Sequence, residues 1–508
     1  MNPAGPAPST LPRVLGYTTA TAIVIGTVIG SGVFKKASPV AANVPEVGLA
    51  LMAWVLVGVL TLLGALTLAE VAVIVGKAGG NYPILRDAYG RWAGFLWGWV
   101  EFWIIRSGSI AALATIFTES LNDILRQLHP RGPDVEVLTP WMRTGVTATV
   151  IAVLGWVNAR GTKLGAGLQV VVTTVKVASL VGIALLPFIV MAFTSSPAAT
   201  PQAATLRPVW PADWSAVNWV AFGGALVGVF WAYHGWMNIA PVAEEVKDPQ
   251  RNIPLALLTG VGVIILLYLS VNLAYHLIIP TKEIAALKDR TVAGEFSVRL
   301  LGPIGLLVAS AAIMTSVFGS LNGNLLVGPR LLYAMGQDGL APRSLSRLHP
   351  RYATPYLAVA VLAGWSILLV LAVGYLTTVG GPVIRLGSMS LDLNLPEGKP
   401  PFDVITDFAM FGAISFETLA VASIFVFRRR FPTSTVHLPY RCPFYPVLPA
   451  VYVLALGTVL VNMFRSQRAE ALTGVGFILV GAVVYALVGR QVPPDGVNQP
   501  PAPHPPPA

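Results

Sequence analysis

The chain is poor in cysteine and in charge. Of its 508 residues one is a cysteine, Cys442, so neither an intramolecular disulfide nor a cysteine metal cluster can form. Charged residues make up 11% of the chain, whereas soluble domains carry about 25%. The sequence has no HExxH motif, no paired-aspartate metal motif and no nucleophile with a placed base. We therefore expect neither an enzyme nor a protein with a resident metal or cofactor.

Both ends of the sequence lack features of structured or processed segments. The opening "MNPAGPAPSTLPR" has no basic region and no small-residue cleavage site, which favours a short cytosolic tail over residues 1–13 rather than a signal peptide. Residues 490–508 are rich in proline, which predicts a disordered tail.

Long apolar runs are abundant between these tails. Hydrophobic residues make up 55% of the chain, and about 20 apolar residues are enough to span a bilayer. About twelve such runs predict an all-α, polytopic protein of the lipid bilayer. We place these segments at 14–43, 47–75, 91–121, 143–158, 163–193, 217–245, 252–280, 301–335, 355–377, 403–427, 446–465 and 471–489.

The net charge of +10 fits the bias of basic residues toward cytoplasmic loops better than nucleic-acid binding. Twelve spans place both termini on one side of the membrane. The short loops on that side hold Lys77, Arg86, Arg160 and the 428–430 arginine cluster. We therefore expect a multi-pass protein of the cell (inner) membrane with cytoplasmic termini.

Two segments contain a break in their helical pattern. The first is "IGTVIGSGVFKK", in which Gly26, Gly30 and Gly32 lie close together. The second centres on His234-Gly235-Trp236, five spans later. Interrupted helices at matching positions of two halves are typical of transporters built from inverted repeats. This spacing predicts repeats over 14–193 and 217–427, followed by two helices over 446–489.

A break inside the membrane exposes backbone groups that can bind a ligand. In the first segment the free N–H groups belong to Ser31, Gly32 and Val33, and they suit an anion. Carbonyls of residues 27–29 and 231–234 suit a cation, so the two breaks together can hold a zwitterionic amino acid. The alternative is that Gly26 and Gly30 form a GxxxG helix-packing motif. The spacing fits neither the P-loop nor the GxGxxG nucleotide motif.

Charged residues within the apolar runs must face the protein interior, because an unpartnered charge in the bilayer centre costs about 2.5–3.5 kcal/mol. These residues are Glu70, Glu101, Arg106, Glu119, Lys176 and Glu417. Glu101 and Arg106 are five residues apart, a spacing that favours partners on other helices. Glu417 can be interpreted either as a functional or as a structural residue, and both interpretations stay open. Glu244 and Glu245 predict a closing ion-pair network.

Two aromatic-ring residues mark the second break. Trp231 adjoins it and is placed to cover the ligand. His234 is either a neutral, packed side chain or a titrating group that tunes substrate charge.

Several stretches resemble the amino acid–polyamine–organocation superfamily, and more closely its L-amino-acid transporter branch with bacterial serine/threonine exchangers. They occur in order over segments 1 to 9 and are "GTVIGSGVF" (26–34), "ALTLAEVAV" (65–73), "IIRSGS" (104–109), "FWAYHGWMNIAPVAEEVKDPQRNIPLA" (230–256), "FGSLNGNLLVGPRLLYAMGQDGLAP" (318–342) and "HPRYATP" (349–355).

The resemblance implies a leucine-transporter-like 5+5 inverted repeat with helices 1 and 6 unwound, plus two C-terminal helices. It also implies sodium-independent amino acid exchange by alternating access. Trp231 would be the gate, Ala232 and His234 would offer carbonyls to the amine, and Lys176 would replace an ion with Ser316 or Ser320 as partner. The main-chain groups of the substrate would be bound by Thr27, Val28, Ile29, Gly30, Ser31, Gly32 and Val33.

The sequence departs from the family pattern at several positions. Trp231 stands where phenylalanine is usual, and His234 where glycine or aspartate is common. Lys35 and Lys36 are unexplained, and residues 380–401 lengthen the loop before segment 10. Animal members are linked to a heavy chain by a cysteine between segments 3 and 4; residues 121–140 contain none, so no disulfide-linked heavy chain is expected.

These observations predict an exchanger of neutral L-amino acids. One alternative is a proton-coupled symporter of the same fold that uses Glu119, Glu417 or His234 as proton carrier. Another is a membrane sensor that binds amino acids without moving them.

Overall fold

The computed structural model describes residues 11–130, 135–193, 201–287, 291–380, 383–386, 389–392, 401–431 and 440–488. The predicted tails therefore lie almost wholly outside the described residues. Within the described residues nearly all regular structure is helical, and each of the twelve predicted segments contains a helix.

Ten helical elements lie between residues 17 and 191. They are α1 (Tyr17–Val28), α2 (Gly32–Lys35), α3 (Ala37–Asn43), α4 (Val47–Val75), α5 (Asn81–Tyr89), α6 (Arg91–Val100), a π-helix (Glu101–Arg106), α7 (Ser107–Gln127), α8 (Pro140–Ala159) and α9 (Thr162–Met191).

The following helices lie between residues 219 and 488. They are α10 (Trp219–Tyr233), a 3-10 helix (Trp236–Glu245), α11 (Pro249–Ile278), α12 (Thr281–Ala286), α13 (Val292–Leu301), α14 (Ile304–Val327), α15 (Pro329–Gln337), α16 (Tyr356–Val379), α17 (Pro401–Arg430), α18 (Val447–Ser466) and α19 (Arg468–Val488). Short 3-10 turns also occur at Ala203–Leu206, Trp214–Ala216 and Arg343–Ser346.

Ten helices among the described residues are long and apolar enough to cross a membrane. The predicted segments 4 and 6 are not among them. Segment 6 falls short because α10 ends after 15 residues, at the predicted break. Segment 4 corresponds to α8, a 20-residue helix that is less apolar. The chain is thus a multi-pass membrane protein, and its twelve-span count remains a prediction.

One small sheet interrupts the helical architecture. Strands β1 (Val383–Leu386) and β2 (Met389–Asp392) pair antiparallel, with Val383 opposite Asp392. Both strands lie in the extra loop before segment 10.

The interrupted helix α1 lies at the centre of the bundle. It packs against α9, α11 and α14, and eight of its 12 residues are buried. The outer helices expose large apolar side chains, such as Leu266 at 68% and Leu454 at 71%. Apolar side chains on the outside and polar ones inside are the arrangement expected of a protein surrounded by lipid. A ligand site at the break in α1 is therefore enclosed by protein.

Candidate functional site

The first break leaves three backbone donors unused. Helix α1 ends at Val28 and α2 begins at Gly32. Ser31, Gly32 and Val33 are buried, and none of their N–H groups has a hydrogen-bond acceptor in the described part of the chain. Buried N–H groups are nearly always paired, so three adjacent unpaired ones indicate a place for an acceptor that the chain does not supply.

The second break falls at the predicted position. Helix α10 ends at Tyr233, and Gly235 has a φ of +103°, a left-handed value that favours glycine. The chain then continues to Glu245 as a 3-10 helix instead of the expected α-helix. Pro241 lies inside this stretch and has no N–H to donate, which disfavours a regular α-helix there.

The two breaks lie against each other. A Cβ added to Gly32 would be only 2.6 Å from Cα of Ala232. Oγ1 of Thr27 lies 3.2 Å from the carbonyl oxygen of Gly235. Gly26 has a different role, because its Cβ would be 2.0 Å from Nε2 of Gln169 on α9. Gly32 thus permits contact between the breaks, whereas Gly26 fits the helix-packing alternative.

A cavity opens where the breaks meet, which we call the ligand cavity. Segments 1 and 6 form two of its walls, and α7 and α14 form the others. Its lining residues are Thr27, Val28, Gly30, Ser31, Gly32, Ser109, Leu113, Trp231, His234, Gly235, Asn238, Ser320 and Asn324.

Lys176 bridges three helices beside the ligand cavity. Its Nζ donates to the carbonyl oxygens of Gly26 and Ile29, each at 2.6 Å, and to Oγ of Ser320 at 2.9 Å. Of the two serines predicted as partners, Ser320 makes the contact. Oγ of Ser316 instead donates to the carbonyl of Gly30 at 2.9 Å. The amine is thus held against the carbonyls at the end of α1, which also accept hydrogen bonds from Ser316 and Ser320.

Tyr268 of α11 joins the two breaks from another side. Its hydroxyl lies 2.9 Å from the carbonyl oxygen of Ala232 and 3.2 Å from that of Val28. One phenol thus ties the last turn of α1 to the last turn of α10. No pattern in the sequence points to this residue, since a tyrosine within an apolar helix is usually part of the core.

Asn324 was also missed by sequence reasoning. It follows Ser316 and Ser320 at four-residue intervals along α14, so all three lie on one helical face. That spacing could have identified it as a wall of the cavity.

The prediction for the partners of Glu101 and Arg106 was wrong. They were expected to pair with other helices, yet Nε of Arg106 donates to Oε1 of Glu101 at 2.8 Å. The residues between them form a π-helix, whose i→i+5 repeat brings residues five apart onto one face. Arg106 also donates to Asn324 at 2.6 Å and to Asn238 at 2.9 Å. The buried arginine therefore ties segment 3 to segments 6 and 8.

A second cavity adjoins the ligand cavity, and we call it the polar cavity. The two share His234, Gly235 and Asn238. The polar cavity is also lined by Asn81, Trp97, Glu101, Arg106, Met237, Glu417 and several small or apolar residues.

His234 and Glu417 meet in the polar cavity. Nδ1 of His234 lies 3.0 Å from Oε1 of Glu417, with side chains 16% and 10% exposed. The imidazole also lies nearly parallel to the indole of Trp231, with ring centroids 6.2 Å apart. The break in segment 6 is therefore in contact with a carboxylate of segment 10.

The other charges in the apolar runs form ion pairs away from both cavities. Glu245 and Arg330 are fully buried, with Nε of the arginine 2.8 Å from Oε1 of the glutamate. That this pair closes one end of the bundle stays a prediction. Glu70 pairs with Arg428, which favours a structural role for this carboxylate. Lys35 lies 3.2 Å from Glu119 at the other end of the bundle, which supplies a partner for the unexplained lysine.

Two interrupted helices around a buried polar cavity, within a bundle of membrane-length helices, define a class of multi-pass membrane protein. The family model described as amino acid permease matches residues 15–488. The chain therefore belongs to the amino acid permease family, whose members are transporters and not enzymes.

Named relatives cover nearly the whole chain. It is similar to the serine/threonine exchanger SteT of Bacillus subtilis, with 28% identity over 94% of this chain and 96% of the relative. It is 29% identical to the human cystine/glutamate transporter over 96% of this chain and 87% of the relative. It is 27% identical to the human b(0,+)-type amino acid transporter 1 over 95% and 89%.

Proposed function

We propose that this protein exchanges neutral L-amino acids across the cell membrane, without sodium, by alternating access within a 5+5 inverted repeat. The observation that carries the proposal is the set of three unpaired N–H groups at Ser31, Gly32 and Val33. They lie at the first break, directly against the second. The serine/threonine exchanger among the relatives supports the assignment.

The substrate carboxylate is bound by these N–H groups, since amides at a helix start favour an anion. The ammonium is bound by carbonyls at the ends of α1 and α10. Not all of those carbonyls are equally available, because the oxygen of Ile29 already accepts hydrogen bonds from Lys176, Ser316 and Ser320. Thr27, Trp231 and His234 are therefore better candidates than Ile29, and Trp231 closes the site as gate.

Sodium independence is supported by Lys176. The resemblance places this lysine where sodium-coupled relatives hold an ion, and its ammonium contacts two carbonyls of α1 and a hydroxyl of α14. An amine that already donates to these oxygens at that position removes the need for a bound ion.

Counterflow in proteoliposomes tests the proposal. Labelled alanine should enter vesicles preloaded with unlabelled alanine, at the same rate in sodium and in choline buffer, and should not enter empty vesicles. Accumulation in empty vesicles driven by a pH gradient would establish the proton-coupled symporter instead. In that case the His234–Glu417 contact favours these two residues over Glu119 as the proton carrier.

The orientation is proposed from the loop charges alone. Cytoplasmic termini place the Glu245–Arg330 pair on the cytoplasmic side and the Lys35–Glu119 pair outside. Protease access to a tag at either terminus in intact cells would reverse this assignment.

A further inference from the structure

The polar cavity holds four groups that are charged or can become charged. They come from segments 3, 6 and 10 and are Glu101, Arg106, His234 and Glu417. Glu101 and Arg106 neutralise each other, and all three nitrogens of the guanidinium already donate hydrogen bonds. Arg106 is therefore not available to neutralise another anion.

Glu417 depends on His234 for compensation of its charge. Among the described residues His234 is the only basic group within ion-pair distance of Glu417. Tyr452 of α18 is a further titratable side chain near this carboxylate, and its neutral phenol supplies no positive charge. Lys176 lines neither cavity. The net charge of the polar cavity is therefore zero when His234 is protonated and −1 when it is neutral.

Two hydrogen-bond acceptors without a donor make the polar cavity more negative. Oε2 of Glu101 and Oδ1 of Asn81 are buried and have no hydrogen-bond partner in the described part of the chain. Their residues are 3% and 5% exposed. Both line the polar cavity. A buried acceptor without a donor is costly, so the cavity favours an occupant that brings donors or positive charge.

The polar cavity begins where the ligand cavity ends, at His234 and Asn238. A substrate bound by its main chain at the two breaks would direct its side chain past His234 toward Glu417. We propose that the His234–Glu417 pair is a proton-controlled counter-charge that decides whether the transported amino acid can carry a cationic side chain. This inference rests on the proposed function, amino acid binding at the breaks.

Two substrate classes respond differently to the pair. Neutral amino acids require no counter-charge and are accepted in both protonation states. A cationic side chain is repelled by protonated His234, but it pairs with Glu417 once the imidazole is neutral. Acceptance of cations should therefore rise as the imidazole loses its proton with increasing pH.

The test measures competition in the counterflow assay. Ornithine and alanine compete with labelled alanine at pH 5.5 and 8.0, and the ratio of their inhibition constants is compared within each protein. For the unaltered protein we expect ornithine to gain about tenfold relative to alanine at the higher pH, as for one partly buried charge pair. A ratio that does not change with pH overturns the inference.

Two variants test the roles of His234 and Glu417 separately. His234→Gln should accept ornithine equally at both pH values, because Glu417 is then permanently uncompensated. Glu417→Gln should reject it at both. A Glu417→Gln variant that keeps the pH-dependent ratio would also overturn the inference. Because ratios are taken within one protein, a change in overall transport rate cancels.

A binding measurement distinguishes this inference from the proposed function. Thermal stabilisation of the detergent-solubilised protein by ornithine and by alanine is recorded at both pH values. Failure of counterflow together with pH-dependent stabilisation by ornithine would refute exchange but support the counter-charge. Intact counterflow with pH-independent stabilisation by ornithine would refute the counter-charge alone.

Discussion

The ammonium of Lys176 lies 2.6 Å from the carbonyl oxygen of Ile29, the residue that follows α1 directly. It also lies 2.6 Å from the carbonyl of Gly26, one turn earlier. A side chain of segment 5 thus replaces two hydrogen bonds that an unbroken α1 would make within itself. The geometry of the first break depends on this contact.

Removing the charge of Lys176 should slow exchange more than it weakens binding. In Lys176→Met the carbonyls of Gly26 and Ile29 lose charged donors, each worth about 1.5–3 kcal/mol, whereas the N–H groups at Ser31 and Gly32 stay in place. We expect the counterflow rate to fall at least ~tenfold, with a smaller change in alanine affinity.

Ser316→Ala provides a matched control for this variant. Ser316 donates to the carbonyls of Ile29 and Gly30 without carrying charge. The Ser316→Ala variant should retain most of the exchange rate of the unaltered protein. Full activity in Lys176→Met would show that the lysine has no part in transport.

Adding one methyl group at two nearby glycines should separate binding from stability. A Cβ at Gly30 would meet Leu113 at 3.4 Å and Ser320 at 3.5 Å, which are ordinary contacts at the wall of the ligand cavity. Gly30→Ala should therefore weaken alanine binding about tenfold by occupying ligand space, with little change in thermal stability.

Gly32→Ala is the comparison variant. Its Cβ would lie 2.6 Å from both Cα and Cβ of Ala232, so the protein itself should become less stable. Thermal unfolding in detergent, with and without alanine, measures both effects. Unchanged affinity in Gly30→Ala would remove Gly30 from the ligand site.

Hydrophobic runs and glycine positions predicted much of this fold. Segment 2 was predicted at 47–75, and α4 spans Val47–Val75. The interruption at residues 234–236 was predicted because glycine beside apolar, aromatic residues disfavours a continuing helix. Local sequence contains this information, since both helix length and helix breaks depend on neighbouring residues.

Contacts between distant segments could not be predicted in the same way. The pairing of His234 with Glu417 requires two residues far apart in sequence to meet across the bundle, and neither flanking sequence specifies the other. The Glu101–Arg106 pair was missed for another reason. In an α-helix, residues five apart lie on different faces, so this pairing is not expected. No feature of "EFWIIR" predicts a π-helix.

Breaking the Glu101–Arg106 pair should strongly destabilise the protein. Glu101→Gln leaves the guanidinium of Arg106 buried without its carboxylate, which costs about 3–5 kcal/mol for a buried pair. The midpoint of thermal unfolding in detergent should fall clearly.

Glu119→Gln is the control for this effect, because it removes an ion pair with Lys35 whose side chains are 28% and 49% exposed. Such exposed pairs contribute about 0–1 kcal/mol. Equal destabilisation by the two variants would contradict the structural importance assigned to the π-helix.

The Glu245–Arg330 pair should keep one end of the bundle closed. The carbonyl of Glu245 accepts hydrogen bonds from Val14 and Leu15 at 2.9 Å, and its carboxylate binds Arg330. The backbone N–H of Ala78 donates to the neighbouring Glu244 at 3.3 Å. Weakening the pair with Glu245→Gln should therefore expose Ala78 more often.

A cysteine at position 78 in a Cys442→Ser background can report this opening. Ala78 is 4% exposed, so Ala78→Cys should react slowly with maleimide in membranes opened on both faces. Adding Glu245→Gln should raise the labelling rate several-fold. Glu70→Gln is the control, because it breaks the Glu70–Arg428 pair between α4 and α17, leaving the Glu245–Arg330 contact intact. Equal rates in the two variants would show that closure does not depend on Glu245, and that the buried pair only holds segments 6 and 8 together.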